Sequence, residues 1–449
     1  MTRFIQCDRS QPYLMPPDLR EWVPEDDLAH FIIEAVARVD MKKFKINHRG
    51  SGSEQHDPRV MLAILVFCYA HGIFASRKIE RATYRDVCVR FVAVNTHPDH
   101  STICEFRTAN AAAFEEAFLQ VLELAKELKI LKVGTVSVDG TKIDANANIH
   151  KSVRYDRANE LREQLKLEIS ELVKKAESAD AADEDIARLP KEIARREKML
   201  TNMEAACRRI EEQAKARAEK EREEYEEKKK NHEDRGAGGK APSPPSETPR
   251  PGEQSNLTDP ESRIMRKSKR SEYRQSYNAQ AAVDADGSQL VLGVNVSQCA
   301  SDAHELVPTV AAIPASIGKP ETVLADTGYA DGDSVAAVET DGIEVLVAIP
   351  GSNVRRPHDL RPTPPVKPPR EIKSEWMKKM KEKLASEDGR RKYRKRKQTV
   401  EPVFGIIKHG MKFRQFLMRG VEKVRIEWQL VTLAYNCRRL HTLSQAFRA

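Results

Sequence analysis

The first third of the chain carries apolar residues at helical spacing. Apolar residues recur three and four positions apart from residue 17 to about residue 130, at Leu28, Ile32, Ile33, Val36, Val39, Phe114, Phe118, Val121 and Leu122. Pro58 to His71 and Ser76 to Val89 are predicted helices, and Asp99 is the predicted cap of a third. We predict a helical N-terminal domain over residues 1–130. Three short helices with basic residues are typical of a DNA-binding helix-turn-helix, and an ordinary helical bundle fits equally well.

A pattern typical of strands begins near residue 131. Val133, Val136 and Val138 alternate with small or polar residues before Asp139, which predicts a half-buried strand. The later predicted elements are a hairpin of Tyr277 to Val283 and Gln289 to Val296 with its turn at Asp286-Gly287, a helix from Asp302 to Ile313 bent at Pro308, a strand from Thr322 to Ala325, a helix from Asp331 to Val338 and a strand from Ile343 to Ile349. This order predicts an α/β fold over residues 131–449, with a mixed sheet covered by helices.

A long charged segment interrupts the strand pattern. Leu161, Leu165, Ile169 and Leu172 form one apolar stripe, and apolar residues from Ile193 to Ala214 repeat every seven positions. We predict an inserted antiparallel helical hairpin over residues 149–231, which could reach a partner subunit or serve as a spacer. The stretch GAGGKAPSPPSETPRPGEQS contains no large apolar residue, and it predicts a flexible linker over residues 232–258.

Composition narrows the class of protein. The 449 residues carry a formal net charge of +8, a mild bias toward polyanionic partners. The longest apolar run, Val60 to Ala70, is shorter than the roughly 20 residues that span a bilayer, and the first ten residues lack a signal-peptide pattern. We therefore expect a cytoplasmic protein with no membrane partner. The seven cysteines include no C-x-x-C pair and predict neither a zinc site nor a disulfide framework.

Three acidic residues stand at or near the ends of predicted elements. Asp139 lies on the first strand in SVDGTKIDANAN, Asp326 follows a later strand in VLADTGYADG, and Glu401 precedes Pro402 in TVEPVFGIIKHG. Carboxylates that converge from distant positions can hold two Mg²⁺ ions for phosphodiester cleavage. Each residue alone has a simpler interpretation, because an Asp at a strand end usually forms a turn and a Glu before Pro usually starts a helix.

The segment around Glu401 combines acidic and basic groups. Regular helical spacing places Glu401 and Lys408 on one face, and Pro402 suits a first helical turn, so the helix is expected to begin at or just before Glu401. Upstream, Lys and Arg crowd together from Arg390 to Lys397. Their mutual repulsion predicts that this run does not fold comfortably without an anionic partner, and we interpret it as phosphate contacts. A solvated face or a linker is the simpler interpretation of such a run.

These motifs, with NLTDPESRIMRK and SYNAQAAVDADG between them, resemble in their order the DDE transposases of bacterial insertion sequences. The resemblance covers nearly the whole chain and is to the group with a tyrosine-arginine-glutamate-lysine signature, in particular its eleven-eighty-two branch. It implies a ribonuclease-H-like (retroviral-integrase-like) catalytic core. It also implies Asp139, Asp326 and Glu401 as catalytic ligands of two Mg²⁺ ions, for which Mn²⁺ can substitute, and Lys408 as the signature lysine.

The signature departs from the family spacing by one residue. Tyr393 and Arg396 have the mutual spacing of its tyrosine and arginine, but four residues instead of three separate Arg396 from Glu401. Arg394 and Lys397 stand at the positions that the spacing predicts. All four are therefore candidate DNA-binding residues, together with the signature lysine.

Two residues close in sequence to the candidate aspartates each have two interpretations. Tyr329 could stack on an unpaired base at a DNA end, and packing in the core is the alternative. Asp144 is a second carboxylate on the strand of Asp139, and it is either an outer-shell group of the metal site or a turn residue.

The resemblance implies a transposase that cleaves the ends of an insertion sequence and joins the 3′ hydroxyls to target DNA. The implied partner is double-stranded DNA, both terminal inverted repeats and target, with no small-molecule substrate. A homodimer is expected in the DNA complex because two ends must be cut together, and the expected location is the bacterial nucleoid. Two alternatives stay open: a metal-dependent nuclease of the same fold, and a non-catalytic DNA-binding protein derived from a transposase. All three carboxylates are present, which disfavours the second alternative.

Overall fold

A mixed sheet forms the centre of the molecule, and helices pack on it. The computed structural model describes residues 18, 21, 23–46, 55–177, 188–234, 244–250, 252–267, 271–349 and 374–448. Their strands are β1 Thr135–Asp144, β2 Ser152–Arg154, β3 Gln254–Asn256, β4 Arg263–Met265, β5 Arg274–Asp284, β6 Val291–Ser297, β7 Thr322–Ala325 and β8 Glu344–Val347. Their α-helices are α1 Leu28–Ala37, α2 Pro58–Ala70, α3 Ser76–Arg85, α4 Val87–Val92, α5 His100–Ala109, α6 Ala111–Glu127, α7 Tyr155–Glu177, α8 Leu189–Asp234, α9 Leu306–Ala311, α10 Gly332–Thr340, α11 Glu375–Ala385, α12 Glu387–Gly405 and α13 Val421–Arg448. The predicted mixed α/β class is confirmed.

The sheet places β1 between an antiparallel and a parallel neighbour. Its strand order is β4-β5-β1-β7-β8, and β6 also pairs with β5. β1 is antiparallel to β5 and parallel to β7, which is parallel to β8. Ten of the eleven β5 residues are buried, as expected for a strand covered on both faces. The residues of β1 are therefore held from both sides at the centre of the fold.

One hydrophobic core runs through the N-terminal helices and the sheet. α2 is buried from Met61 to Ala70, which is typical of a helix enclosed on all sides. The C-terminal helix α13 packs on α2 and α6 and also on β6, so it joins the two regions. The boundary of an independent N-terminal domain near residue 130 stays a prediction.

Two predicted helices have different bounds in the structure. The helix predicted from Ser76 to Val89 is divided at Asp86, whose side chain accepts a hydrogen bond from the backbone N–H of Val89 at 3.0 Å and caps α4. The helix predicted from Asp302 begins only at Leu306, so Pro308 lies in its first turn, where the N–H that proline lacks is not needed. The side chain of Asp302 is consequently free for contacts with the sheet.

The inserted segment contains two helices that pack along each other. α7 and α8 share a small apolar cluster that includes Leu165, Met203 and Cys207. The connection at residues 178–187 and the predicted linker at residues 235–243 lie outside the described residues. The last part of the predicted linker is wrong, because β3 pairs with β2 there. The buried Asn256 amide stabilises this pair by donating to the Asn148 carbonyl at 2.8 Å.

Among the helices of the described residues, none is long and apolar enough to cross a membrane.

Candidate active site

Asp139, Asp326 and Glu401 come from three elements that meet at β1. β1 and β7 run parallel with Ser137 opposite Leu324, and two more residues along this register bring Asp139 beside Asp326. Asp139 lies on β1 and Asp326 directly follows β7. Glu401 is on α12, which packs on β1. The sheet register and one helix therefore bring together carboxylates that are far apart in the sequence.

The guanidinium group of Arg396 lies between the three carboxylates. Its Nη2 is 3.1 Å from Asp139 Oδ2 and 3.5 Å from Asp326 Oδ2, and its Nη1 is 3.9 Å from Glu401 Oε1. The Arg396 and Asp139 side chains are only 9% and 16% exposed, whereas the Glu401 side chain is 57% exposed. A buried cation thus occupies the centre of the predicted site, with Glu401 on the solvent side.

Asp139 is the most perturbed of the three carboxyl groups. Burial raises its pKa to about 6, although the Arg396 guanidinium lowers the pKa and the Asp326 charge raises it. Its Oδ1 also accepts the backbone N–H of Gly140 at 2.9 Å.

The side-chain contacts show which of the two candidate tyrosine-arginine pairs of the signature lies at the carboxylates. The Tyr393 hydroxyl donates to the carbonyl of Ala325 at 3.0 Å, directly before Asp326, and Arg396 contacts the carboxylates. Arg394 and Lys397, which the family spacing placed in these roles, are exposed. Tyr393 and Arg396 therefore face the site despite the additional residue before Glu401.

The expected helix start at Glu401 is wrong. α12 runs from Glu387 to Gly405, so Glu401 and Pro402 lie within its last turns. Pro402 lacks the N–H that would bind the carbonyl of Gln398, four residues earlier. The side chain of Gln289 donates to that carbonyl at 2.7 Å. This contact compensates the lost hydrogen bond and lets the helix continue through Pro402.

Lys408 lies where the helix changes its winding. Ile406–Gly410 form a π-helix, closed by the bond from the Met411 N–H to the Ile406 carbonyl at 2.8 Å, so the regular face expected for Glu401 and Lys408 is interrupted. Lys408 Nζ donates to the hydroxyl of Thr141, two residues after Asp139 on the same strand face. Burial lowers the pKa of Lys408 to about 8, and the Lys267 charge adds to this effect.

The basic run before Glu401 lies on the helix α12. Acidic side chains of the chain compensate part of its charge, and its contact with phosphates stays a prediction. The ion pairs are Arg391 with Asp388 at 2.6 Å, Lys392 with Glu344 at 2.7 Å and with Asp388 at 2.9 Å, and Lys395 with Asp286 at 2.5 Å. The exposed members of the run still present positive charge to solvent.

Tyr329 and Asp144 have structural contacts. Tyr329 is fully buried and its hydroxyl donates to the side-chain carbonyl of Gln280, so the ring cannot stack on a base in this structure and the core interpretation holds. Asp144 pairs with Lys267 at 3.0 Å and with Arg274 at 3.1 Å. This carboxylate is held by cations at the end of β1.

The chemistry of the donor set fits a hard divalent cation. Carboxylate oxygens are the protein ligands that Mg²⁺ and Mn²⁺ prefer. The position of Arg396 indicates that the space between the three carboxylates attracts positive charge. Within the described ranges, no three acidic, His or Cys side chains are arranged to hold a metal ion as they stand.

Sequence reasoning missed a polar cluster beside β1. Asn278 and Gln280 are fully buried on β5, and both amides donate to Asp302 Oδ1, at 2.6 Å and 2.8 Å. Lys142 Nζ lies 3.4 Å from Asp302 Oδ2. The sequence did contain a signal for this cluster, because Asn278 and Gln280 stand at alternate positions of a predicted buried strand. Buried amides need hydrogen-bond partners, so polar groups were to be expected on that face of the strand.

Two family models match the chain. A model described as a transposase DDE domain matches residues 243–437, and a model described as a transposase domain matches residues 17–109. The first match contains Asp326, Glu401 and Lys408 and begins after Asp139. The comparisons with curated proteins and with solved structures give no significant match.

Proposed function

The chain belongs to the DDE transposases of insertion sequences, and from this premise we propose that it cleaves the ends of its element and joins the freed 3′ hydroxyls to target DNA. The substrates are double-stranded DNA, both the terminal inverted repeats and the target. Two ends must be cut together, so the active DNA complex is a homodimer. The place of Asp139 on the central strand of a mixed sheet supports a ribonuclease-H-like core.

The observation that carries this proposal is the convergence of Asp139, Asp326 and Glu401 on one buried guanidinium. These three residues would hold the two divalent metal ions, Mg²⁺ or Mn²⁺. Metal ions bound there would lower the pKa of an attacking water and stabilise the departing 3′ oxygen. Strand β1 would hold Asp139 and helix α12 would hold Glu401 in place, as precise sites require.

The cationic residues around the carboxylates have separate tasks. Arg396, if metal ions replaced it at the carboxylates, would bind a phosphate oxygen of the DNA with its planar donor group. Lys408, which donates to Thr141 on the strand of Asp139, would supply a second cation beside that strand. The exposed Arg394 and Lys397 lie on the outer side of α12 and would contact the DNA backbone farther from the reaction.

The test is cleavage of a labelled duplex that carries the element's own terminal repeat, with Mg²⁺ or Mn²⁺ present. We expect the intact protein to nick the repeat end, and Asp326→Ala and Glu401→Ala to abolish nicking while DNA binding is retained. Glu387→Ala, at the other end of α12, is the matched control and should cut normally.

The outcomes separate the alternatives. Cutting that survives Asp326→Ala or Glu401→Ala contradicts the site assignment. Cutting without joining of the 3′ end to a second duplex identifies a nuclease. Repeat binding without cutting under any metal condition identifies a DNA-binding protein.

A further inference from the structure

A buried polar network lies on the face of β1 opposite Arg396. Side chains alternate along a strand, so Asp139 faces Arg396 whereas Gly140 and Lys142 face the other side. There Asp302 Oδ1 accepts the Asn278 and Gln280 amides. Asp302 Oδ2 faces Lys142 Nζ at 3.4 Å. The proposed function gives this network no task.

The network lies close to the glycines that follow Asp139 and Asp326 in the chain. A Cβ atom added to Gly140, the neighbour of Asp139, would lie 2.7 Å from Asp302 Oδ1. A Cβ atom added to Gly328 would lie 2.9 Å from Asp326 Oδ1 and 3.4 Å from Asp302 Oδ2. Asp302 and Asp326 therefore both lie close to Gly328, and a Cβ atom at Gly140 or Gly328 would crowd the Asp302 carboxylate.

Asp302 determines the direction of the Gln280 amide. Asp302 Oδ1 accepts from the Gln280 side chain, so the NH₂ group of Gln280 is turned toward Asp302. The carbonyl end of the same amide then points to Tyr329, whose hydroxyl donates to it. With the amide reversed, the carbonyl oxygen of Gln280 would face the Asp302 carboxylate and the contact between them would be repulsive.

Tyr329 ends the turn that carries Asp326. Residues Thr327–Tyr329 form a 3₁₀ turn, and Asp326 caps it by accepting the Gly328 N–H at 2.7 Å. The Tyr329 ring is fully buried, so its hydrogen bond to Gln280 ties the far end of this turn to β5. A chain of direct contacts thus leads from Asp302 through Gln280 and Tyr329 to the turn of Asp326.

We propose that Asp302 is a positioning residue for Asp326, because it orients Gln280 and through Tyr329 fixes the turn from which the Asp326 carboxylate projects. The role in metal binding rests on the proposed function, whereas the coupling of Asp302 to the turn does not. Partners that orient metal ligands in this way change metal affinity or activity by about 10–100-fold when they are removed.

The experiment compares Asp302→Ala with Asp302→Asn. The alanine variant removes the acceptor for both amides, whereas asparagine keeps one carbonyl oxygen in the place of Oδ1 and loses the charge. Asn295→Ala is the matched control, because Asn295 lies opposite Gln280 on β6 and its substitution removes a hydrogen bond to Glu305 but no member of the network. Tyr329→Phe removes the next contact of the chain, the hydrogen bond from the Tyr329 hydroxyl to the Gln280 side chain.

Hydrogen exchange measured by mass spectrometry tests the coupling without metal or DNA. We expect faster exchange confined to residues 325–331 in Asp302→Ala and Tyr329→Phe, and exchange close to that of the intact protein in Asp302→Asn and Asn295→Ala. The double variant Asp302→Ala with Tyr329→Phe should exchange no faster in this segment than either single variant. Unchanged exchange there, or an equal increase throughout the chain, overturns the proposal.

The Mn²⁺ concentration for half-maximal nicking tests the consequence for the site. It should rise about tenfold or more in Asp302→Ala and less than about threefold in Asp302→Asn. Equal shifts in both variants mean that the charge of Asp302 matters and its acceptor position does not, which contradicts the proposal. If the intact protein does not cut, the proposed function fails, and hydrogen exchange still decides the role of Asp302.

Discussion

At the scale of single residues, Arg396 balances the charge of the site. Its side chain is 9% exposed and contacts three carboxylates. Asp139 is the most buried carboxylate among these partners, and removal of one partner from a buried ion pair leaves the other uncompensated and costs about 3–5 kcal/mol. We therefore expect Arg396→Ala to lower the free energy of unfolding by roughly this amount in EDTA. Chemical denaturation of the intact and variant proteins measures it.

Added Mg²⁺ separates charge balance from packing. If Arg396 compensates charge, a divalent cation should restore much of the stability that Arg396→Ala loses in EDTA. Arg394→Ala, on the exposed side of the same helix, is the control and should change stability by less than about 0.5 kcal/mol. A loss that Mg²⁺ leaves unchanged would mean that the guanidinium acts mainly by filling space.

Glu427 provides a pH-dependent contribution to stability. It is fully buried on α13 and accepts the N–H groups of Leu417 and Met418 at 2.9 Å and 3.0 Å. Burial raises its pKa above the ordinary 4.5, although these N–H groups and Arg107 lower it. The folded state therefore binds the proton more tightly than the unfolded state, and stability falls as pH rises from 4.5 through the raised pKa.

We expect Glu427→Gln, which has no proton to lose, to escape this decline. The free energy of unfolding of the variant minus that of the intact protein should be more favourable at pH 8 than at pH 5. Urea denaturation at the two pH values measures the change. Glu422→Gln is the control, because the Glu422 side chain is 85% exposed on the same helix. An identical difference at both pH values would contradict the assignment.

At the scale of elements, the last turns of α12 depend on a side chain from another part of the chain. Gln289 supplies the donor that Pro402 lacks. Gln289→Met keeps the length and removes the donor, which should cost about 1 kcal/mol. With Pro402→Ala present, the backbone N–H can bind Gln398, so the same Gln289 substitution should have almost no effect. A double-mutant cycle by thermal unfolding measures this coupling, and strictly additive effects would refute it.

The hydrophobic pattern of the sequence predicted the bounds of helices and strands well where a single apolar run decided them. β7 has the predicted bounds, and α2 ends one residue before its predicted end, because short apolar runs with clear caps leave few alternatives. The pattern failed at Pro402, where a contact from a distant residue overrides the usual meaning of proline. It also failed at β3, whose polar residues give no strand signal and are ordered by the buried Asn256.

At the scale of the whole molecule, the shared core makes the N-terminal helices part of the catalytic fold. Arg438 Nη1 donates to the Ala70 carbonyl at 3.4 Å and Gln445 Nε2 to the Asp26 carbonyl at 2.9 Å, along the contact of α13 with these helices. We expect a fragment of residues 131–449 to unfold without a cooperative transition and to bind a hydrophobic dye, since α13 would expose its apolar face.

Thermal unfolding followed by circular dichroism checks this expectation. A separately produced fragment of residues 1–130 should restore the transition when it is mixed in. A fragment of residues 131–449 that unfolds cooperatively by itself, near the temperature of the intact protein, would establish an independent boundary at residue 130.

The site residues that could be predicted from the sequence are those whose motifs are local. The family resemblance indicated Asp139, Asp326 and Glu401, because their motifs are local in the sequence. The choice of Arg396 over Lys397 depends on which side of α12 faces β1, and the one-residue shift in spacing pointed to the other pair. Asp302 was hidden because its partners lie on β5 and β1, and only the sheet brings them together.

The insertion between β1 and β5 has a consequence for how the protein folds. Ribosomal synthesis delivers the central strand with Asp139 long before its antiparallel partner, and pairing across such a long separation is slow because the intervening loop must close. α7 and α8 can associate as soon as both have emerged from the ribosome. The pairing of β2, before α7, with β3, after α8, then brings the two ends of the inserted segment together. The inserted helices would thus shorten the effective loop and limit the time during which the nascent central strand is exposed to aggregation.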